Sequence, residues 1–303
     1  MKSKKIISEV SGIRIDGFLA EKLKDISRSH IQKLINEGKV LVNDKEVKTN
    51  YKVKVGDIII INIPEVKKPS IEAEEIELDI LYEDDDIIVV NKPQGMVVHP
   101  AAGNYTGTLV NALLNHCDSL SGVNGPIRPG IVHRIDKDTS GVIVAAKNDF
   151  SHIELAKQIK KHTMTRRYIA IVEGVIKVDD GIIEGAIGRN PKDRKKMDIV
   201  SGGRYAKTYF KVLDRFKSNT LIEAKLDTGR THQIRVHMAH IGHPVVGDSV
   251  YGYKKQKFNL KGQALHAAIL GFIHPRSGQY MEFKAPLPPY FEELIDILKQ
   301  TMF

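Results

Sequence analysis

Cysteine is almost missing: Cys117 stands alone in 303 residues. A lone thiol cannot close an intramolecular disulfide, so the fold must hold by packing, and a reducing compartment is expected. Apolar runs long enough to cross a bilayer are missing too, since a span needs about 18 consecutive apolar residues. The opening Met1–Val10 is basic but returns to polar residues after Ile6-Ile7, which is not the pattern of a secretory signal. A cytoplasmic protein is the expectation. There is no internal repeat, no low-complexity tract and no nucleotide-binding loop. Between residues 71 and 86 bases vanish altogether, leaving nine acids.

That acidic strip divides an otherwise basic chain. Residues 1–68 hold 15 Lys/Arg against 9 Asp/Glu, and residues 87–303 hold 31 against 19. The whole carries a formal +9 at pH 7. A basic excess on both sides of the strip suits a polyanionic partner, although a plain solvated surface can also be basic.

The first 65 residues read as a unit. Ile15, Phe18, Leu19 and Leu23 recur at helical spacing. Ser27 is placed to cap a second helix carrying Ile31, Leu34 and Ile35, and Gly38 is placed to end it. Short strands are expected at Val40–Val42, at Val47 and over Ile58–Ile61, with Asn43-Asp44 as a turn. Arg28 and Lys33 fall on the polar side of this helix pair. Residues 66–76, with Pro69 and a switch of charge sign, read as a linker. From 77 to 303 strand-length apolar runs dominate: Ile87–Val90, Gly141–Ala146, Tyr168–Val172 and Leu221–Leu226. A helix is expected near Ile153–Ile159. Few helices among many strands predict an α+β fold with a mixed, mainly antiparallel sheet.

Two segments could carry chemistry. In His133-Arg134-Ile135-Asp136-Lys137-Asp138-Thr139-Ser140-Gly141, the last four are ordinary turn formers. Asp136 has no such explanation, and two cations flank it. A carboxylate so placed is either a poised catalytic group or part of a structural ion pair. In Leu226–His237, Thr228-Gly229 reads as a strand-to-helix junction, with Thr231 as the cap of a helix reaching about His240. Arg230 then lies before the first turn, a place suited to a phosphate. Arg235 lies one turn in, where it can pair with a carboxylate. His237, His240 and His243 are spaced by threes, but no cysteine lies near and His243 falls outside the helix. No zinc site is expected from them.

These pieces resemble known families. Arg14-Ile15-Asp16, Ser27-Arg28-Ser29, Leu34-Ile35, Gly38-Lys39-Val40 and Val55-Gly56-Asp57 resemble the S4 RNA-binding domain. The rest resembles the RluA family of pseudouridine synthases, in its RluD-like branch. The matching segments are Val89–Pro93 with Gly95–Pro100, His133–Gly141, Arg167–Gly174, Gly229–His237, and the closing Gly242-His243-Pro244, Gly247-Asp248 and Leu265-His266-Ala267. Ile135 stands where leucine is usual.

The resemblance implies isomerisation of uridine to pseudouridine in RNA, without metal or organic cofactor, in a central cleft of the sheet. It assigns the essential carboxylate to Asp136, the base-stacking wall to Tyr168 and the carboxylate's partner to Arg235. Asp136 either attacks C1′ or removes the 2′ proton; both routes need it ionised, which a neighbouring guanidinium favours. Arg134 is expected to hold the flipped nucleotide or fill its vacated space, and Leu265 to pack beneath the base. Arg230, with Arg28 and Lys33 of the S4-like unit, is expected on RNA. The implied substrate is helix 69 of large-subunit rRNA, and nothing demands more than a monomer. Other readings stay open: a tRNA or different rRNA target, a non-catalytic RNA clamp in ribosome assembly, or a glycosidic hydrolase using Asp138 as second carboxylate.

Overall fold

The computed structural model describes residues 2–23, 26–63, 71–101, 103–194 and 196–300. The linker expected at 66–76 falls partly outside them, Pro69 included. The chain packs as two units, Met1–Lys68 and Pro69–Phe303, each with its own core.

In the first unit β1 (Lys2–Ile7) precedes two helices, α1 (Ile15–Lys22) and α2 (Arg28–Asn36). Strands β2 (Val40–Val42), β3 (Lys45–Glu46) and β4 (Ile58–Ile63) follow. The sheet order is β1-β4-β2-β3, with every pairing antiparallel. The expected caps are present. Ser27 Oγ accepts the His30 N–H at 3.4 Å, and Gly38 takes φ +67° just past the end of α2. Ile15, Leu19, Ile31, Leu34, Ile59 and Ile61 are buried together, so the apolar stripes of both helices close on one face of the sheet.

Two expectations here need correction. Val47 is not in a strand, because β3 stops at Glu46, yet its side chain still packs on the core. Strand β1 was not expected at all. Its sequence, Lys-Ser-Lys-Lys-Ile-Ile, has no clear strand pattern, and the element forms by edge pairing with β4 from Lys2↔Ile63 to Ile7↔Ile58.

The second unit opens with the hairpin β5 (Ile80–Glu83) and β6 (Ile87–Lys92), then α3 (Leu109–His116), whose Thr108 cap forms a reciprocal box with Asn111. Next come β7 (Ser140–Ala146), α4 (Asp149–Lys160) and β8 (Thr165–Glu173). They are followed by β9 (Asp180–Arg189), β10 (Met197–Ile199), β11 (Arg204–Arg215) and β12 (Asn219–Leu226). Helix α5 (Gln233–His240), β13 (Leu265–Ile273), β14 (Tyr280–Lys284) and α6 (Pro289–Gln300) complete the unit.

Its ten strands form one sheet in the order β10-β9-β11-β12-β8-β13-β7-β6-β5, with β14 paired to β13. All pairings are antiparallel except β13 with β7. The fold is α+β with a mixed, mainly antiparallel sheet. At that parallel junction Gly141 lies opposite Ala267, at φ +113°, and a Cβ there would collide with the Ala267 carbonyl. Only glycine fits. The apolar run Gly130–Val132 forms no strand and contributes a single bridge, Ile131 to Ala145. Among the described residues no helix is long and apolar enough to cross a membrane.

Candidate active site

The sheet opens into a cavity of about 500 Å³. Strand alternation sends Arg166 and Tyr168 of β8 to the same face, and both line it. Leu226 at the end of β12 and Leu265 at the start of β13 supply apolar wall. Asp136 comes from the loop before β7 and Arg235 from the first turn of α5. Arg134 and Arg230 also line the space. Five residues assigned here by resemblance (Asp136, Tyr168, Arg235, Arg134 and Leu265) thus meet in one cavity, together with Arg230.

The loop bearing Asp136 is fixed from several sides. Ile135 is buried in the core. The Thr139 N–H donates to the Asp136 carbonyl at 3.1 Å. The His133 ring accepts the Val144 N–H on Nε2 at 3.1 Å; burial, aided by Arg166, lowers its pKa to about 3. Beneath the loop lies Lys92, among the largest wholly buried side chains of the described residues. Its ammonium donates to the carbonyls of Pro93 and Met96 at 2.8 Å and of Lys137 at 3.0 Å. Burial brings its pKa down to about 7, against the opposing pull of Asp138 and Asp136. Sequence reading placed Lys92 in a matching segment and gave it no role.

Asp136 is the single carboxylate among the residues lining the cavity, and 17% of its side chain is exposed. Its Oδ2 accepts a hydrogen bond from Arg235 Nη1 at 2.8 Å. Arg235 is held in turn by Asp248, with Nε to Oδ2 at 2.6 Å and Nη2 to Oδ1 at 2.8 Å. Asp248 Oδ1 also accepts the N–H groups of Val250 and Tyr251. Burial opposes the charge of both partners, but their mutual hydrogen bonds win. The Arg235 pKa is raised and the Asp248 pKa lowered. The Tyr251 ring packs on the guanidinium, 5.1 Å from centroid to Cζ. Burial raises the Tyr168 pKa, so its phenol stays protonated near neutral pH.

Cations dominate the walls. Arg128, Arg134, Arg166, Arg204, Arg230 and Arg235 all line the cavity, against one acid. The Arg230 Nε donates to the Tyr205 carbonyl, and Arg166 Nη2 to the Asp227 carbonyl. Burial and the neighbouring Arg204 and Arg166 push the Arg230 pKa down, as expected of crowded like charges. Such a cavity attracts a polyanion.

Helix α5 does not begin as expected. Thr231 is exposed and does not cap it; the N-cap is His232, at φ +56° and ψ +22°, with no side-chain cap bond. The junction is instead closed by Gln233. Its Oε1 accepts from the Thr228 hydroxyl at 2.7 Å and from the Arg230 N–H at 3.0 Å. Its amide donates to the Lys207 carbonyl and Thr208 hydroxyl of β11. A long-range side-chain clamp thus replaces the local cap, and nothing in the local sequence announces it.

The histidine trio disperses. His237 is buried with Nδ1 on the Thr208 hydroxyl, His243 donates to the Glu173 carbonyl, and His240 is exposed. In the first unit, Arg28 is partly committed. Its Nη2, with Arg14 and Gln32, holds the buried Asp16, whose carboxyl stays well below the usual range although burial pushes the other way. Lys33 is exposed and lies 3.7 Å from Glu37.

A basic cavity holding one carboxylate bound to a buried arginine, on a mixed sheet, has the make-up of an enzyme site for a polyanionic substrate. Residues 86–240 match the family described as RNA pseudouridylate synthase, and residues 13–59 match the S4 domain. The chain belongs to the RNA pseudouridylate synthase family, and it is a pseudouridine synthase with an N-terminal S4 RNA-binding domain. It is 54% identical to the uncharacterized RNA pseudouridine synthase YlyB of Bacillus subtilis, over 95% of both chains. It is 46% identical to ribosomal large subunit pseudouridine synthase D of Zymomonas mobilis, over 97% of this chain and 96% of that one. The solved structure of human RNA pseudouridylate synthase domain containing 1 superposes with a TM-score of 0.60 at 26% identity. That match covers 75% of this chain and 96% of the human one.

Proposed function

We propose that the enzyme converts uridines of large-subunit ribosomal RNA, in the helix 69 region, to pseudouridine, with Asp136 as the catalytic carboxylate. One observation carries this reading: the cavity's single carboxylate lines the open space and is held on only one oxygen by Arg235. Relatives named ribosomal large subunit pseudouridine synthase D match nearly the whole chain, which favours an rRNA substrate.

The target uridine leaves its stack, at a cost of a few kcal/mol, and enters the cavity. The arginines on the rim neutralise its flanking phosphates, and Arg134 keeps the nucleotide extruded. Tyr168 and Leu265 take the base between flat and apolar surfaces. Asp136, paired with the Arg235 guanidinium, then acts at the sugar, through C1′ or the 2′ proton, and the N1–C1′ bond breaks. The uracil anion is resonance-stabilised and needs hydrogen-bond donors rather than a strong acid. It turns, and C5 joins C1′ as Asp136 either is displaced from C1′ or returns its proton to C2′; the proton lost from C5 is balanced by one gained at N1. A protonated Tyr168 stacks on the base throughout. A glycosidic hydrolase fits less well, because Asp138 does not line the cavity.

The test is pseudouridine mapping across ribosomal and transfer RNA in cells carrying wild-type protein or Asp136→Ala. Loss of the modification in helix 69 alone is the expected result. Loss confined to tRNA would overturn the substrate, and an unchanged map with stable mutant protein would overturn the catalytic assignment.

A further inference from the structure

His232 is where the backbone is most unusual within the site. It adopts the left-handed region at φ +56°, one of four non-glycine residues among those described to have positive φ. That conformation is costly for a side chain with a Cβ, and it persists where surroundings over-determine it. The residue heads α5 without capping it. Its strained backbone turns the imidazole into the cavity instead.

The ring's orientation and tautomer follow from its partners. Nδ1 lies 2.9 Å from the Tyr251 hydroxyl, and the two rings meet edge-on at 5.7 Å. The Tyr251 oxygen already accepts the Met197 N–H at 2.9 Å. The phenol proton is therefore free to point at Nδ1, which makes Nδ1 an acceptor and leaves the imidazole proton on Nε2. Burial lowers the His232 pKa, with Asp136 opposing, so the ring is neutral at pH 7 with one N–H to offer. Nε2 sits 3.9 Å from Asp136 Oδ1, the oxygen that Arg235 does not hold. That separation is too long for a hydrogen bond, so the N–H is not spent on the carboxylate beside it.

We infer that His232 donates its Nε2–H to the 2′-hydroxyl of the target uridine and so selects ribose at the reacting position. The inference rests on the function proposed above. In that reading C1′ and C2′ lie against Asp136 Oδ1, and the 2′-oxygen is the sugar's free hydroxyl beside them, the 3′-oxygen being esterified within the chain. The 2′-hydroxyl is also the group by which a protein tells RNA from DNA at a given site. Tyr251 acts through His232 as a positioning residue: it holds the ring and keeps the proton on the useful nitrogen.

The experiment compares RNA carrying uridine or a single 2′-deoxyuridine at the mapped position, in single-turnover assays with wild-type, His232→Asn and Tyr251→Phe enzymes. Asparagine tolerates the left-handed backbone, so the variant keeps the turn while shortening the donor. Wild-type enzyme should lose about tenfold in kcat/KM on the deoxy substrate, the worth of one hydrogen bond. His232→Asn should be about tenfold slower on uridine and show a deoxy penalty near one. Tyr251→Phe should show an intermediate penalty. An equal deoxy penalty in wild-type and His232→Asn enzymes would overturn the inference, whatever the activity of the variant. Retained activity in Asp136→Ala on the same RNA would instead sink the parent reading, and the inference with it.

Discussion

Asp248 grips Arg235 with both carboxylate oxygens, at 2.6 and 2.8 Å, and thereby aims the remaining edge of the guanidinium at Asp136. Asp248 is fully buried and Arg235 nearly so, with 6% of its side chain exposed. The arginine is shared between a structural carboxylate behind it and the open-site carboxylate before it. Its two roles cannot be separated: the group that orients Asp136 is itself oriented by a charge solvent does not reach.

Asp248→Asn should therefore damage both stability and turnover. Removing the buried partner leaves the Arg235 charge to Asp136 alone, at a cost of about 3 kcal/mol. The expected result is a lower melting temperature together with a fall in kcat of about a hundredfold and little change in KM. Thermal unfolding and single-turnover kinetics measure the two effects separately. Loss of stability with normal turnover would mean that Arg235 keeps its aim without Asp248.

The arginines at the cavity rim make a second prediction. If Arg204 and Arg230 neutralise RNA phosphates, each alanine variant should weaken binding across RNA sequences. Each should also reduce the steepness of log K against log salt by about one. Filter binding or fluorescence anisotropy at several salt concentrations gives the slope. An unchanged slope would place these guanidiniums away from phosphate.

Lys92 predicts a particular pH dependence. Its pKa is about 7 in the fold and 10.5 in its ordinary state, so between those values the unfolded chain holds the extra proton. Stability must then rise with pH across that window, by up to about 1.4 kcal/mol per unit, and fall away as pH drops through 7. The difference between wild-type and Lys92→Met unfolding free energies, measured from pH 6 to 10, isolates this residue. A flat difference would mean that the buried ammonium keeps its ordinary affinity for the proton.

Much of this organisation is legible along the chain because it is written in local patterns. The stripes Ile15–Leu19 and Ile31–Ile35, the cap at Ser27 and the apolar runs of β6, β7, β8 and β12 each depend on residues a few positions apart. Asp136, Tyr168 and Arg235 stand in segments whose order and composition resemble a known family, and the cavity brings the three together. The features that escaped are long-range. Strand β1 exists through its partner β4, and Gln233 replaces Thr231 at the head of α5 because β11 supplies two acceptors for its amide from 25 and 26 residues away. Arg128, Arg166 and Arg204 carry no local mark of a site, and only the tertiary structure collects them around one cavity.

The sequence by itself determined the α+β class, the basic character and the segment that bears the carboxylate, since helix and strand periodicity, charge and turn chemistry act between near neighbours. Tertiary structure alone decided that Asp248 stands behind Arg235, that Lys92 is buried beneath the Asp136 loop, and that His232 lies 3.9 Å from the Asp136 oxygen that Arg235 does not hold. Those relations join residues tens of positions apart, and their energies depend on burial, which no short stretch of sequence specifies.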